Sequence, residues 1–160
     1  MADDSVDELT DAVLTASRLL VAVSARSIAA VDDTITLAQF RLLVIVFTRG
    51  TQRVTALAEL LGVNPSSATR TVDRLVHAGL LGRRQNPAAR RETHISLTPA
   101  GSALVAEVTR RRRVEIARIV AAMPMENRRG LVAALAAFAE AGDEPPAGSS
   151  PYRVDDTDWA

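Results

Sequence analysis

The chain has 160 residues, a formal net charge of zero and no cysteine. This length suits one compact domain with short extensions, and the missing thiols exclude disulfide scaffolds, zinc–thiolate sites and iron–sulfur clusters. No run of about 18 uncharged apolar residues is present, so we expect no membrane span. The acidic start Met1-Ala2-Asp3-Asp4 is unlike a secretory signal. These features predict a cytoplasmic protein.

The charge is distributed unevenly along the chain. Residues 1–33 carry seven acids and two arginines, and residues 131–160 carry six acids and one arginine. Residues 51–98 have the opposite balance, seven arginines and three acids. Because a basic surface attracts a polyanion, the centre of the chain is predicted to bind one.

Two helices are predicted before the basic centre. Within residues 5–33 the apolar positions step by three and four, which is typical of a helix that packs along a narrow seam. A second helix follows the capping residues Thr34 and Thr36 and ends at Gly50. Its residues 42–47 are apolar on every side, so we expect them in the centre of the structure. The seam of the first helix consists of Val6, Leu9, Val13, Ala16, Leu20 and Val23.

Two further helices are predicted after the basic centre. Residues 102–122 form one long helix with the apolar positions Val105 and Val108, and Pro124 interrupts it. Leu131, Leu135 and Phe138 then belong to a final helix.

An acidic tail, residues 142–160, ends the chain. It is rich in Pro, Gly and Ser, so we expect it to be flexible. Tyr152 and Trp159 leave open the alternative that the tail docks onto the body.

A helix-turn-helix pattern occupies the basic centre. A short helix ends at Gly62, whose freedom at positive φ permits a sharp turn. Asn64 is a favoured N-cap and Pro65 a favoured first helical residue, so a second helix starts almost at once and covers about 65–78. This second helix has one apolar face, formed by Ala68, Val72 and Leu75.

The opposite face of the second helix offers short or cationic hydrogen-bond donors. Arginine can pair bidentately with guanine and hydroxyls can bind phosphates, so this face suits the major groove of DNA. The alternative is an ordinary helical hairpin with a polar outer side. The donors are Ser66, Ser67, Thr69, Arg70 and Arg74.

A β-hairpin is predicted directly after these helices, over about 82–97. Residues 93–97 alternate polar and apolar side chains, as a half-buried strand does. The turn of the hairpin is expected to expose Arg90 and Arg91, and an arginine at such a tip can enter the narrow minor groove of DNA. A solvated hairpin tip is the alternative, which the preceding helix-turn-helix disfavours.

With these elements in order, the chain resembles the MarR family of winged helix-turn-helix transcriptional regulators. The similarity is sharp over residues 51–101, and its strongest part is Arg91, then five intervening residues, then Leu97-Thr98-Pro99-Ala100-Gly101. The other segments that carry it are Leu57-Ala58-Glu59-Leu60-Leu61-Gly62-Val63, Thr69-Arg70-Thr71-Val72-Asp73-Arg74-Leu75 and Gly79-Leu80-Leu81.

The resemblance implies a mainly α fold with a small β-wing. A winged helix-turn-helix domain, 36–101, would lie between an N-terminal dimerisation helix, 5–33, and C-terminal dimerisation helices, 102–141. The homodimer would bind a pseudo-palindromic double-stranded operator and act as a repressor that a small aromatic effector releases, with no cofactor.

The same resemblance assigns the DNA-binding residues. Ala89 stands where the family often has Asp, so Arg91 is expected to lack a usual partner within the wing. The DNA-binding residues would be Asn64, Pro65, Ser66, Ser67, Thr69, Arg70, Arg74, Arg84, Arg90 and Arg91.

Polar side chains in the flanking helices suggest two further roles. Arg18, Gln39 and Arg41 interrupt apolar helices and could line an effector pocket. The run 110–113 consists of four arginines, for which three roles stay open: solvated side chains, pairs with acids of a partner's N-terminal segment, or direct contact with phosphate. Those acids are Asp3, Asp4, Asp7, Glu8 and Asp11.

Catalysis finds no support in the sequence. His77 and His94 are the only histidines and lack metal-ligand spacing, and Ser66 and Ser67 have no base beside them. We therefore expect no enzyme. A winged-helix module used for protein–protein assembly is the remaining alternative, and it would need an exposed apolar patch.

Overall fold

The structure is a computed structural model that describes residues 5–86 and 88–148, without the side chains of Arg90 and Arg91. Seven helices and three strands lie in these residues. The strands form one antiparallel sheet in the order β1-β3-β2, so the expected mainly α fold with a small β-wing is confirmed. The elements are α1 (Val6–Ala29), α2 (Leu37–Arg49), β1 (Gln52–Arg53), α3 (Val54–Leu61), α4 (Pro65–His77), β2 (Leu81–Asn86), β3 (Ala89–Leu97), α5 (Pro99–Ala122), α6 (Met125–Arg128) and α7 (Leu131–Ala141).

Capping side chains determine where the first two helices begin. Ser5 accepts a hydrogen bond from the Glu8 amide (3.2 Å), and the Glu8 carboxylate accepts one from the Ser5 amide (3.0 Å). Thr36 and Gln39 form the same reciprocal arrangement at α2 (3.1 and 2.9 Å). Each capping box satisfies two amides that have no partner inside the helix. The side chain of Gln39 therefore serves the cap of α2.

The core lies around α2, as its apolar sequence predicts. Leu42, Leu43, Ile45 and Val46 are buried. Around them pack side chains from α1, α3, α4, the sheet and α5, and these bury a contiguous apolar cluster. Its other buried members are Ile28, Phe40, Leu57, Val72, Leu75, Leu80, Leu81, Ile95, Val105 and Val108.

Three elements differ from the sequence-based expectation, and one of them is the short helix α6, which was not predicted. Strand β1, which pairs Gln52 with Ile95 of β3, was not predicted, because two residues carry no measurable periodicity. Helix α5 begins at Pro99 rather than at residue 102. Thr98 caps α5 by accepting from the Gly101 amide (3.1 Å), and Pro99 occupies a position where no amide donor is needed.

Most side chains in the N-terminal part of α1 and in α7 are exposed, and none of them is buried. We call residues 6–21 and 131–141 the arms. Val6 is 79% exposed, Val132 83% and Phe138 59%, and no residue of α7 is buried. The six apolar positions of the predicted seam do lie on helix α1, but only Val23 among them is buried.

Helix α1 also meets the length and composition of a membrane span, with a mean hydropathy of 1.4 over 18 residues, 22% of them buried. The expectation of no such stretch is corrected to this extent. The same values occur in core helices of soluble proteins and in signal sequences, so a single helix of this kind does not indicate a membrane protein.

The start of the acidic tail contacts α2. Arg41 donates two hydrogen bonds to the Glu144 carboxylate (2.9 and 2.6 Å), and Arg49 donates to the backbone carbonyl of Asp143. The hydrogen bond from Arg41 lowers the pKa of Glu144, and the same bond raises the pKa of Arg41. Asp143 and Glu144 are thus held against α2, whereas Tyr152 and Trp159 lie outside the described residues, as do Asp3 and Asp4.

Candidate nucleic-acid interface

A tight turn joins α3 to α4. Gly62 adopts a left-handed conformation (φ 66°), and the Val63 amide donates to the Ala58 carbonyl (3.0 Å). Asn64 then caps α4, because its side-chain oxygen accepts from the Ser67 amide (2.8 Å) and from the Ser66 hydroxyl (2.7 Å). The turn therefore helps to set the direction of α4 relative to α3 through backbone and cap bonds.

The two faces of α4 differ as the sequence predicts. Its apolar face, formed by Ala68, Val72 and Leu75, is buried in the core. The opposite side faces solvent along its length, and Ser67 lies half-buried at its edge. The exposed residues of the predicted DNA-binding set are Asn64, Pro65, Ser66, Thr69, Arg70 and Arg74 on or beside α4, and Arg84 on β2.

The donors on this face have unequal freedom. The Thr69 hydroxyl donates to the Pro65 carbonyl (2.9 Å), and Arg70 donates to the Ser67 hydroxyl (3.3 Å). The side chains of Arg74 and Arg84 form no hydrogen bond or ion pair with any other residue in 5–86 and 88–148. An exposed guanidinium without a protein partner keeps its donors for a ligand, and phosphate is the anion that arginine binds in a bidentate manner.

The wing follows α4 through three residues. Gly79 has φ 76°, the Leu80 amide donates to the Leu75 carbonyl (2.9 Å), and the Thr98 hydroxyl donates to the Gly79 carbonyl (2.6 Å). Strands β2 and β3 pair from Leu81 with Leu97 to Asn86 with Ala89. The base of the wing is therefore attached to the end of α4 and to the start of α5.

The tip of the wing is shorter than the sequence suggested. Asn86 ends β2 and its side-chain oxygen accepts from the Ala88 amide (3.0 Å). Strand β3 already begins at Ala89, so Arg90 and Arg91 are strand residues next to the turn rather than turn residues. Their side chains are outside the described part of the chain, and the predicted lack of a partner for Arg91 stays a prediction.

Two ion pairs attach the wing to neighbouring elements, one to helix α4 and one to strand β1, and sequence reasoning missed both. Asp73 of α4 pairs with Arg83 of β2, and Glu92 of β3 pairs with Arg53 of β1 (3.2 Å). One signal was present in the sequence: Asp73 is the single acid in α4, three residues after Arg70 and one before Arg74.

The histidines do not form a catalytic or metal site. His77 is exposed at the end of α4. His94 is half-buried in β3, with its Nε2 atom 3.7 Å from the Glu92 carboxylate. Among the described residues no group of three His, Cys, Asp or Glu side chains could hold a metal ion.

Two clefts adjoin the predicted DNA-binding elements. The first, of about 640 Å³, lies against the wing and includes Arg84 and His94. The second, of about 480 Å³, lies between α2, α3 and α4 and includes Arg41. Of the three residues proposed for an effector pocket, only Arg41 lines this second cleft, because Gln39 belongs to the cap of α2 and Arg18 is exposed on α1. The other residues that line it are Leu37, Ala38, Leu61, Val63, Ser67 and Thr71.

The arginine run 110–113 divides into two pairs. Arg110 and Arg111 both donate to the Glu107 carboxylate (2.8 to 2.9 Å), and these hydrogen bonds lower the pKa of Glu107 to about 2. Arg112 is half-buried, burial lowers its pKa, and its Nε atom has no hydrogen-bond partner among the described residues. Arg113 is exposed.

Comparison with known proteins gives one result that decides the family. The sequence profile of the MarR family matches residues 35–93. The crystal structure of RV1404 from Mycobacterium tuberculosis is similar over 91% of this chain and 99% of that chain, with 56% sequence identity and a TM-score of 0.83. The chain belongs to the MarR family.

More distant MarR-fold structures agree with this assignment. The transcriptional regulator Tm0710 from Thermotoga maritima is 27% identical and covers 83% of this chain and 95% of its own, with a TM-score of 0.62. A mutant MarR from E. coli, solved in complex with operator DNA, is 21% identical, covers 84% and 92%, and has a TM-score of 0.63, which shows a shared fold. A comparison with curated proteins finds no match. MarR-family members are transcriptional regulators.

Proposed function

We propose that this protein is a cytoplasmic homodimeric regulator that binds double-stranded DNA in a sequence-specific manner, represses transcription and is released by a small effector. The observation that carries the proposal is the exposed donor face of α4, which the chain continues directly into a basic wing. The operator complex of the E. coli neighbour shows that this fold can hold DNA in that protein.

In this proposal α4 reads the major groove. Its N-terminus is the positive end of the helix dipole and presents the exposed polar side chains of Asn64 and Ser66, which suits a phosphate. Arg70 and Arg74 lie one turn apart on the exposed face and would reach base edges or phosphates. Pro65, Ser67 and Thr69 complete the surface that approaches the groove.

The wing supplies the second contact. Arg84 is exposed and has no partner within the described residues, so it would bind the phosphate backbone. Arg90 and Arg91 follow the tip along the chain and would enter the adjacent minor groove, where the negative potential is enhanced.

A second copy of the chain would cover the arms. Their exposed apolar side chains lie at the two ends of the chain, which the family resemblance assigns to dimerisation. A large exposed apolar surface on a soluble protein marks an interface. Of the arginine run 110–113, Arg112 and Arg113 are not engaged by Glu107 and would pair with the partner's acidic N-terminal segment.

The effector part of the proposal rests on family membership. The cleft of about 480 Å³ reaches Ser67 and Thr71 of α4. A molecule bound there would contact the helix that reads DNA and would change the separation of the two copies of α4, which must stay near ~34 Å to serve successive major grooves.

The test is a binding titration with a duplex that the wild-type protein selects from a random pool. We expect tight binding. The logarithm of the association constant should fall linearly with the logarithm of the salt concentration, with a slope of about −0.9 for each phosphate neutralised. Light scattering of the same sample should give twice the mass of the chain. Failure to enrich any sequence, or binding that salt does not affect, would refute the proposal.

The protein–protein alternative has little support. A winged-helix module that assembles with proteins needs an exposed apolar patch. In the described part of residues 36–101 the exposed large apolar side chains are Leu37 and Val63. The remaining exposed residues of the module are polar, charged or small.

A further inference from the structure

The exposed face of α4 carries one acidic side chain, Asp73, although its other charged residues are basic. Asp73 follows Arg70 by three residues and Thr69 by four, so all three side chains lie on one side of the helix. If this side approaches phosphates, as the proposed function requires, a carboxylate there repels the ligand. Asp73 is exposed and is not part of the buried core. Its presence therefore calls for another physical role.

The partner of Asp73 lies in the wing. Its carboxylate accepts a hydrogen bond from Arg83, ten residues further along the chain and on a different element, β2. Between them the chain ends α4, turns at Gly79 and starts the strand. The ion pair thus closes a loop across the junction of α4 and the wing.

A second carboxylate acts in the same way on the other strand. Glu92 of β3 pairs with Arg53, the residue that precedes α3 (3.2 Å), and lies 3.5 Å from the side-chain nitrogen of Asn86 in β2. Arg53 is opposite His94 in the register of β1 and β3. The wing is therefore held on one side to the start of the helix-turn-helix and on the other side to its second helix.

From this arrangement we propose that Asp73 and Glu92 are positioning residues for DNA binding. They fix the angle between α4 and the wing, so that Arg84 and the first residues of β3 reach the backbone while α4 lies in the groove. The inference rests on the proposed function. It also assigns Arg53 and Arg83 to the protein's own structure rather than to phosphate contacts.

The experiment asks whether removal of the Asp73 carboxylate tightens or weakens DNA binding. Electrostatics alone predicts that removal of a carboxylate from a DNA-facing surface tightens binding. Positioning predicts the opposite. In the full-length protein we expect Asp73→Asn to weaken binding by about threefold to fivefold, the range that an exposed ion pair permits, and to reduce the salt slope by about 0.9 as one phosphate contact is lost.

The matched control removes the partner first. In an Arg83→Gln background, Asp73→Asn should no longer weaken binding, because no pair remains to be broken, and the loss of the carboxylate should leave affinity equal or higher. Asp73→Glu should restore most of the affinity. Glu92→Gln, alone and in an Arg53→Gln background, repeats the test at the second pair, and urea unfolding should show all variants folded.

The duplex is the sequence of about 30 base pairs that the wild-type protein selects, long enough for two half-sites one helical turn apart. Wild-type protein that selects no sequence would refute the proposed function. Wild-type protein that binds while Asp73→Asn and Glu92→Gln bind equally well or more tightly, with an unchanged salt slope, would refute this inference alone. An additional loss on adding Asp73→Asn to Arg83→Gln would also refute it, because Asp73 would then act without its partner.

Discussion

The winged-helix module and the arms contain the same apolar residue types in opposite environments. In the module, Leu43, Leu57 and Val72 are completely buried. In the arms, Val6 and Val132 are more than three-quarters exposed. The module closes its core within one chain, whereas the arms present an apolar surface that no residue in 5–86 or 88–148 covers. Contacts within one chain therefore stabilise the module. The apolar side chains of the arms can be buried only against another surface.

The largest effect is expected in the arms. Leu135→Asp in α7 removes the burial of one leucine in each protomer, worth about 2 kcal/mol each, so the dimer loses about 4 kcal/mol. This corresponds to about a thousandfold increase in the dissociation constant, which sedimentation equilibrium would measure. Leu37→Asp is the matched control, an exposed leucine of the module, and should leave association unchanged. Equal behaviour of the two variants would contradict the assignment of the arms.

The second prediction tests how closely α5 packs against the rest of the module at Gly101. A Cβ added at Gly101 would collide with the Leu80 carbonyl and lie 2.9 Å from Leu97 Cδ2. Because a backbone atom is in the way, Gly101→Ala should destabilise the fold by about 3 kcal/mol, measured by urea unfolding. At Gly82 the added Cβ would lie 3.8 Å from Ser96 Oγ. Gly82→Ala should stay within about 0.5 kcal/mol of the wild type.

The third prediction separates base reading from backbone contact within the module. Arg70→Ala on α4 should cost about 2 kcal/mol of specific binding and relax the base preference at one position of each half-site. Arg84→Ala on the wing should weaken binding to all sequences alike and reduce the salt slope by about 1. A titration series on the selected and a scrambled duplex distinguishes them. If both variants bind like the wild type, the roles of α4 and the wing are wrong.

The fourth prediction concerns the cap of α4. Asn64→Ala removes the acceptor for the Ser67 amide and should cost about 1 kcal/mol of stability. Asn64→Asp keeps an acceptor at the positive end of the helix, so stability should be retained. The added negative charge should nevertheless weaken DNA binding. A drop in stability for Asn64→Asp as large as that for Asn64→Ala would show that the cap does not act through this bond.

The smallest effect tests the contact between the tail and α2. Arg41 lowers the pKa of Glu144, so the pair stabilises the fold above the ordinary carboxyl value of 4.5, and the contribution disappears as the pH falls through the lowered folded-state pKa. Both side chains are partly exposed, so Glu144→Gln should cost only about 0.5 kcal/mol at pH 7. Urea midpoints of the wild type and the variant should converge at low pH. Glu140→Gln on α7 serves as the control and should show no difference at any pH.

Sequence alone determined the elements whose signals are local. Gly62, Asn64 and Pro65 specify a turn and a helix start through backbone preference and one short side chain, and the structure has both where the sequence places them. The all-round apolar run of α2 specified the centre of the core, because burial on every side is the only environment that suits it. The exposed donor face of α4 followed from the same periodicity.

Tertiary structure alone decided the contacts between distant residues. Strand β1 exists because β3 offers it hydrogen bonds, and Asp73, Glu92 and Glu144 have partners that lie on other elements. Local sequence determines which residues are charged, which can form a turn and which can be buried. Only the folded chain determines which opposite charges meet, since that depends on how separate elements pack around a shared core.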